Sequence, residues 1–196
     1  MFAFSRIIVV RHGETEGQSS IRYHGITDVP LSDEGREQIR HLASTLPAEG
    51  YDVVVSSPLR RALETAEIIA PSSPVRVEPA FREIDFGRWE GLTAEEIEAR
   101  DPELFREWRT RGTEFDFPEG EPRAAFRARV REGIDALVAD GAHEGDSALI
   151  AAHKGVFRTI VERLTRESID DVSYPPLGSA ALLVRSDGRW RVEREG

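Results

Sequence analysis

Residues 7–17, IIVVRHGETEG, decide the fold: four β-branched aliphatic residues run straight into an arginine, a histidine and a glycine. An apolar run this short, bounded by turn residues, reads as a strand buried on both faces, the habit of strands in parallel sheets. The same arrangement recurs twice. VVV at 53–55 passes into Ser56–Ser57–Pro58 and then Arg60–Arg61, and LIAA at 149–152 passes into His153–Lys154–Gly155. In a parallel sheet the carboxyl ends of the strands lie along one edge, which is where open α/β folds bind ligands. Two histidines and several arginines can therefore converge there.

The segments between these strands have helical period. In 31–46, Ser32 is an N-cap, Asp33 and Glu34 suit the first turn, and Ile39, Leu42, Ala43 and Leu46 repeat at i, i+3, i+4, i+7. Pro47 and Gly50 stop it. A second helix is predicted over 59–70, with Ser57 as N-cap and Pro58 at the first helical position. VRV at 75–77 is a third strand, 122–138 a long helix, 148–153 a strand and 154–164 a helix. The end, 179–193, is a hairpin turning at Asp187–Gly188. From about 81 to 121 the pattern loosens into aromatics, acids and short helical pieces, with Thr93 and Glu96 spaced as a capping box. That stretch is expected to be a lid-like excursion over the core. Strands alternating with helices imply a three-layer α/β/α sandwich with a mostly parallel central sheet, made mixed by the hairpin.

The 196 residues suit a single domain, 1–196. No apolar run approaches the ~18 residues of a membrane span, so no membrane segment is expected. MFAFSRIIVV has no signal cleavage site, which makes the cytoplasm the expected compartment. With no cysteine, disulfides, thiolate nucleophiles and cysteine-ligated zinc are excluded. A net charge of −10 argues against nucleic-acid or anionic-membrane partners, so any positive charge must be local.

Histidines and arginines beside two helix N-termini make a site for a dianionic oxygen ligand. Guanidinium groups bind phosphate in bidentate fashion, and helix N-termini add free N–H groups and the positive end of a dipole. No two histidines fall at helical ligand spacing, so no metal site is expected. His41 and His143 read as surface residues. For His24 a substrate-side role and a bland one both stand.

RHGET, the SSPLRRALETA helix start, FREIDFGRWEG and the late strand ending in His153, together with RYHGITDVPLSDEG, resemble the histidine phosphatase superfamily on its phosphoglycerate-mutase-like side. The likeness runs in order from Arg6 to about Arg158. It implies that His12 is the nucleophile, taking up the phosphoryl group as phosphohistidine, with Arg11 and Arg61 on the phosphate oxygens. His153 is implied to donate a hydrogen bond to the phosphoryl group. Among the neighbouring acids Glu83, Asp85 and Glu90, it is Glu83 that the resemblance makes the proton donor. No metal or other cofactor is implied. The partner is a small phosphorylated substrate, and the chain is expected to be a monomer or homodimer.

Three departures from the family pattern stand out. Gly17 and Gln18 occupy positions where mutase-like members commonly carry an aromatic residue and then Asn; Gln18 can still donate to phosphate. Lys154 intervenes between His153 and Gly155, its ammonium either strengthening the phosphate pocket or facing solvent. FPEGEP, with Glu121, replaces the usual pair of glycines followed by Glu and Ser. The resemblance allows hydrolysis, mutase-type phosphoryl transfer, or a non-catalytic phosphate-binding module. A mutase needs basic residues to clamp its substrate's carboxylate, whereas 93–121 carries ten acids against four arginines. Metal-independent phosphomonoester hydrolysis is therefore the expected function.

Overall fold

The side chains of β1 (Arg6–Arg11) divide between two faces of a sheet, and the division builds the layers. Ile7 and Val9 join one apolar cluster, and Ile8 and Val10 the other, because successive strand side chains point to opposite faces. All four are fully buried. The computed structural model describes residues 4–47, 50–140, 147–169 and 174–193; His143 lies outside them.

The sheet has six strands, the others being β2 (Val53–Ser56), β3 (Val75–Val77), β4 (Ser147–Ala152), β5 (Ala180–Ser186) and β6 (Arg189–Val192). Their order is β3-β2-β4-β1-β5-β6. β1 to β4 are mutually parallel, with Arg11 opposite Ala152 and Ser56 opposite Ala151, while β5 and β6 run antiparallel as a hairpin. This register brings the carboxyl ends of β1, β2 and β4 level. On one face α1 (Asp33–Thr45) and α2 (Arg60–Ile69) pack together; on the other lie α5 (Arg123–Asp140) and α6 (Lys154–Thr165). The α/β/α sandwich with a mostly parallel, mixed sheet is the expected architecture.

Ser32 caps α1 by accepting from Gly35 N–H, and the Thr93–Glu96 capping box opens α3 (Ala94–Arg100). The start of α2 differs from expectation. Pro58 lies outside the helix, and Leu59 is an N-cap without a side-chain cap bond. Asp28, 32 residues earlier, accepts the Arg60 N–H at 2.8 Å instead, because Ser57 is turned toward a histidine.

The excursion contains α3, α4 (Pro102–Arg111) and short 3₁₀ turns, joined to the core by aromatic rings. Trp89 is 1% exposed, stacks on Phe115 at 5.4 Å between centroids, and donates its indole N–H to Asp101 at 2.7 Å. Asp101, at the junction of α3 and α4, also accepts from Arg88. No helix among the described residues is long and apolar enough to cross a membrane.

Candidate active site

His12 follows β1 directly, and its N–H donates to Ala152 O at the end of β4. Backbone pairing alone therefore sets it beside His153: the two rings lie 5.2 Å apart, edge to face at 63°. Both are buried, at 4% and 1% exposure. His12 Nδ1 lies 2.7 Å from Gly13 O. A carbonyl only accepts, so Nδ1 carries the proton and Nε2 of the neutral ring keeps its lone pair.

His153 is fixed in the opposite tautomer. Arg61 Nε donates to its Nδ1 at 3.2 Å, which leaves the proton on Nε2, 2.7 Å from Ser57 Oγ. Burial pushes both imidazoles well below the usual 6.5, and the charges of Arg61 and Arg11 lower them further. Two neutral imidazoles thus sit among fixed cations. The consequence for stability has a definite sign. Above about pH 6.5 neither the folded nor the unfolded chain protonates these rings; below it the unfolded chain takes up protons that the folded one resists. The Tm is expected to be flat from pH 8 to 7 and to fall from about pH 6.5 downward, each ring costing at most about 1.4 kcal/mol per pH unit. A pH series of thermal melts on wild type and His153→Asn checks this, the variant giving the shallower decline.

Arg61 is fully buried on the first turn of α2. Besides His153 it donates to Thr27 O, Gly25 O and His24 O at 2.7–3.1 Å. The N–H groups of the same 25–27 strap are taken by Glu90, whose carboxylate also accepts from the Thr27 hydroxyl and Phe86 N–H. One strap is thus held on its carbonyl side by Arg61 and on its amide side by Glu90. Arg11 donates to Pro175 O at 2.7 Å. Burial lowers the Arg11 and Arg61 guanidinium groups to about 10, and both remain charged at neutral pH.

Glu83 is 5% exposed, and its carboxylate accepts from Gly155 N–H and Ile84 N–H, each at 3.0 Å. Gly155 is the second residue of α6, so its amide belongs to the helix N-terminus. A Cβ there would stand 2.5 Å from Glu83 Oε1 and 3.0 Å from Phe126 Cζ. The glycine displaced by Lys154 in the sequence pattern is therefore what admits the carboxylate. Asp85 accepts Gly87 N–H, and Glu90 serves the strap, which separates them from Glu83.

The structure brings Arg11, His12, Arg61, Glu83 and His153 to one place. Gln18 is not: it sits in a turn at φ +60° with its side chain exposed, outside the buried cluster. Lys154 is the first residue of α6 and half-buried. His41 is exposed on α1. His24 donates from Nε2 to Gly17 O at 2.6 Å, and a Cβ on Gly17 would meet that nitrogen at 2.5 Å. The glycine at 17, a departure from the family pattern, and the histidine at 24 are therefore one packing arrangement. Among the described residues two buried side-chain polar atoms lack a partner, Arg11 Nε and His24 Nδ1, and both border this site. A buried guanidinium N–H without an acceptor costs roughly 1–3 kcal/mol, which an anionic oxygen would recover.

Sequence reasoning missed Ser57, Glu90 and Arg129. Ser57 looks like a helix cap from its neighbours. Glu90 is one acid among several, and Arg129 is one arginine among four between 123 and 131. The available signal for Arg129 is its place on the apolar side of α5, three residues after Phe126 and one before Val130, both buried. No cluster of three or more His, Asp or Glu side chains suited to a metal ion occurs among the described residues.

The profile of the Histidine phosphatase superfamily (branch 1) matches residues 7–196. The chain is 39% identical over 128 residues to phosphoserine phosphatase 1 of Hydrogenobacter thermophilus, covering 64% of this chain and 61% of that one. It is 33% identical over 211 residues to glucosyl-3-phosphoglycerate phosphatase of Mycolicibacterium vanbaalenii, covering 96% and 92%. It spans 44% of the length of longer mycobacterial relatives that match at 37% identity. Among solved structures, that of a putative alpha-ribazole-5'-P phosphatase from Escherichia coli superposes with a TM-score of 0.83 at 25% identity, covering 97% of this chain and 95% of the other.

Proposed function

The chain belongs to the histidine phosphatase superfamily, branch 1, and from that premise we propose that it hydrolyses small phosphomonoesters without a metal ion, through a phosphohistidine on His12. The observation that carries the reading is the His12 Nδ1–Gly13 O bond, which leaves a bare Nε2 among buried cations. Nε2 attacks phosphorus, the bond to the ester oxygen breaks, and Glu83 gives that oxygen its proton. Glu83, now a carboxylate, takes a proton from water; the hydroxyl oxygen attacks phosphorus, the P–N bond breaks, and His12 returns to its neutral form with release of phosphate.

Phosphoryl transfer asks chiefly for position and charge stabilisation, and Arg11 and Arg61 supply the charge. The unpartnered Arg11 Nε is available to a phosphoryl oxygen. Arg61 spends several donors on the strap, so its part is a fixed buried charge together with its N–H groups not committed there. A dianionic phosphoryl group counters the cationic field on His153. For that ring to donate from Nδ1 to a phosphoryl oxygen, the Arg61 Nε–H that Nδ1 now accepts must turn to the phosphoryl group as Nδ1 takes up a proton, while Nε2 keeps Ser57.

Hydrolysis is favoured over mutase transfer by where the arginines of the excursion point. Arg100 and Arg106 bond backbone carbonyls of the excursion and its approach, and Arg111 pairs with Glu107 and Glu114 O, so these three are engaged away from a substrate carboxylate. The names of the relatives, phosphatases of phosphoserine and of glucosyl-3-phosphoglycerate, support a small phosphorylated substrate. The test is p-nitrophenyl phosphate near pH 6 with metal-stripped protein in EDTA. Turnover within about 2-fold of the untreated rate is expected, since no Lewis acid enters the steps; loss restored by a divalent ion overturns the reading.

A further inference from the structure

Arg129 lies outside the cluster just described, yet its guanidinium is committed to the chain that carries Glu83. Nη2 donates to Glu83 O at 3.1 Å; Nη1 donates to Arg82 O at 2.6 Å and Ala80 O at 2.8 Å. The other edge forms a two-pronged pair with Glu121, Nε to Oε1 and Nη2 to Oε2, both at 2.7 Å. All five N–H groups of the guanidinium are thereby used. Its carbon also stands 4.8 Å from the centroid of Phe126. A Cβ on Gly155 would meet the same Phe126 ring at 3.0 Å, and Gly155 N–H holds the Glu83 carboxylate.

We infer that Arg129, oriented by Glu121, is a positioning residue for Glu83: it clamps the carbonyls of residues 80, 82 and 83 so that the carboxylate meets Gly155 N–H at the cluster. Fixing the main chain on one side and the carboxylate on the other leaves Glu83 a single placement. The rigid, planar fork is essential to this. Lysine brings one point charge and cannot bridge three carbonyls and a carboxylate at once. The arrangement also gives Glu121 a task, at a place where the sequence departs from the family pattern.

The inference rests on the reading of Glu83 as proton donor, and the test keeps the two apart. A misplaced proton donor slows departure of a basic leaving group far more than of p-nitrophenolate, which leaves without help. Arg129→Lys is expected to lower kcat on phenyl phosphate about 10- to 100-fold, with KM changed less than about 3-fold, as for a displaced catalytic group with binding intact. On p-nitrophenyl phosphate kcat/KM, which reports only the steps up to release of the leaving group, should fall no more than about 3-fold. Glu121→Gln, which keeps the arginine but loosens its pairing, should shift the ratio of the two rates the same way by about 3-fold or more. If Arg129→Lys does not fold, Glu121→Gln decides alone. Equal losses of kcat/KM on both substrates, that is an unchanged ratio in the steps up to leaving-group release, overturn the inference. Glu83→Gln run alongside separates the failures: a changed ratio there with none in Arg129→Lys and Glu121→Gln removes only the role of Arg129, whereas no change in Glu83→Gln removes the proton-donor reading itself.

Discussion

His12→Ala is expected to reduce turnover of p-nitrophenyl phosphate by about 10⁴-fold or more, the size of loss that follows removal of the attacking group in covalent catalysis. The argument begins with the tautomer. Gly13 O takes the Nδ1 proton, the lone pair at Nε2 is the nucleophile, and burial beside Arg61 keeps the ring unprotonated well below pH 6.5. Neither Arg11 nor Arg61 offers a nucleophile in its place, since a guanidinium has no available lone pair. The fold should survive, because the ring makes one side-chain hydrogen bond, to its own neighbour's carbonyl, and its loss removes a group that resists protonation. Two measurements check this. Rapid quench with phosphoryl-labelled substrate should trap an acid-labile, base-stable label on wild type and none on the variant. Thermal melts should place the variant within about 1–2 kcal/mol of wild type at pH 7.5, as for loss of one hydrogen bond and a small cavity. A labelled His12→Ala protein, or one with wild-type turnover, ends the phosphohistidine assignment.

Glu83→Gln carries the second largest effect, and its pattern matters as much as its size. General acid–base help contributes about 10²–10⁴-fold, which is the loss expected on phenyl phosphate. On p-nitrophenyl phosphate the first step needs little protonation, and any loss should come from the water-activating step. The substitution is nearly isosteric, but the carboxylate accepts from two N–H groups, Gly155 on one oxygen and Ile84 on the other. An amide offers one acceptor and one donor, so one buried N–H faces a donor, at a cost of about 1–3 kcal/mol. Steady-state kinetics on both esters, with burst amplitudes to show which step has slowed, checks the prediction. Uniform loss across the two substrates without a burst, which places it in the first step and not in the shared water-activating one, would mean that the carboxylate acts by charge or packing and not by proton transfer.

Both predictions depend on residues that the sequence brings within reach of one another only once strand order is known. His12 and His153 are 141 positions apart in the chain. They become neighbours because β1 pairs in parallel with β4; two buried apolar runs ending in the same kind of residue indicate a shared edge of the sheet but not that the two strands are adjacent. Glu83 arrives from a stretch without clear periodicity, and its place at the site came through the family resemblance alone. The net charge was equally uninformative about the site. Thirty-six acids outnumber twenty-six basic residues, yet the charges that act most on the two buried histidines are Arg61 and Arg11.

What the sequence determined by itself was whatever depends on near neighbours. Strand β1 followed from four aliphatic residues in a row, α1 from a 3.6-residue period with Ser32 ahead of it, and the capping box from Thr93 and Glu96; each rests on contacts within about one or two helical turns. Tertiary structure alone decided that Ser57 turns to His153 while Asp28 caps α2 from 32 residues away, that Gln18 faces solvent, and that Glu90 and Arg129 hold the strap and the Glu83 chain. The physical reason is the same in each case. A polar side chain with several acceptors in range pairs with whichever the packing of the sheet and helices leaves unsatisfied and out of water, and that choice is made across distances the local chain does not encode.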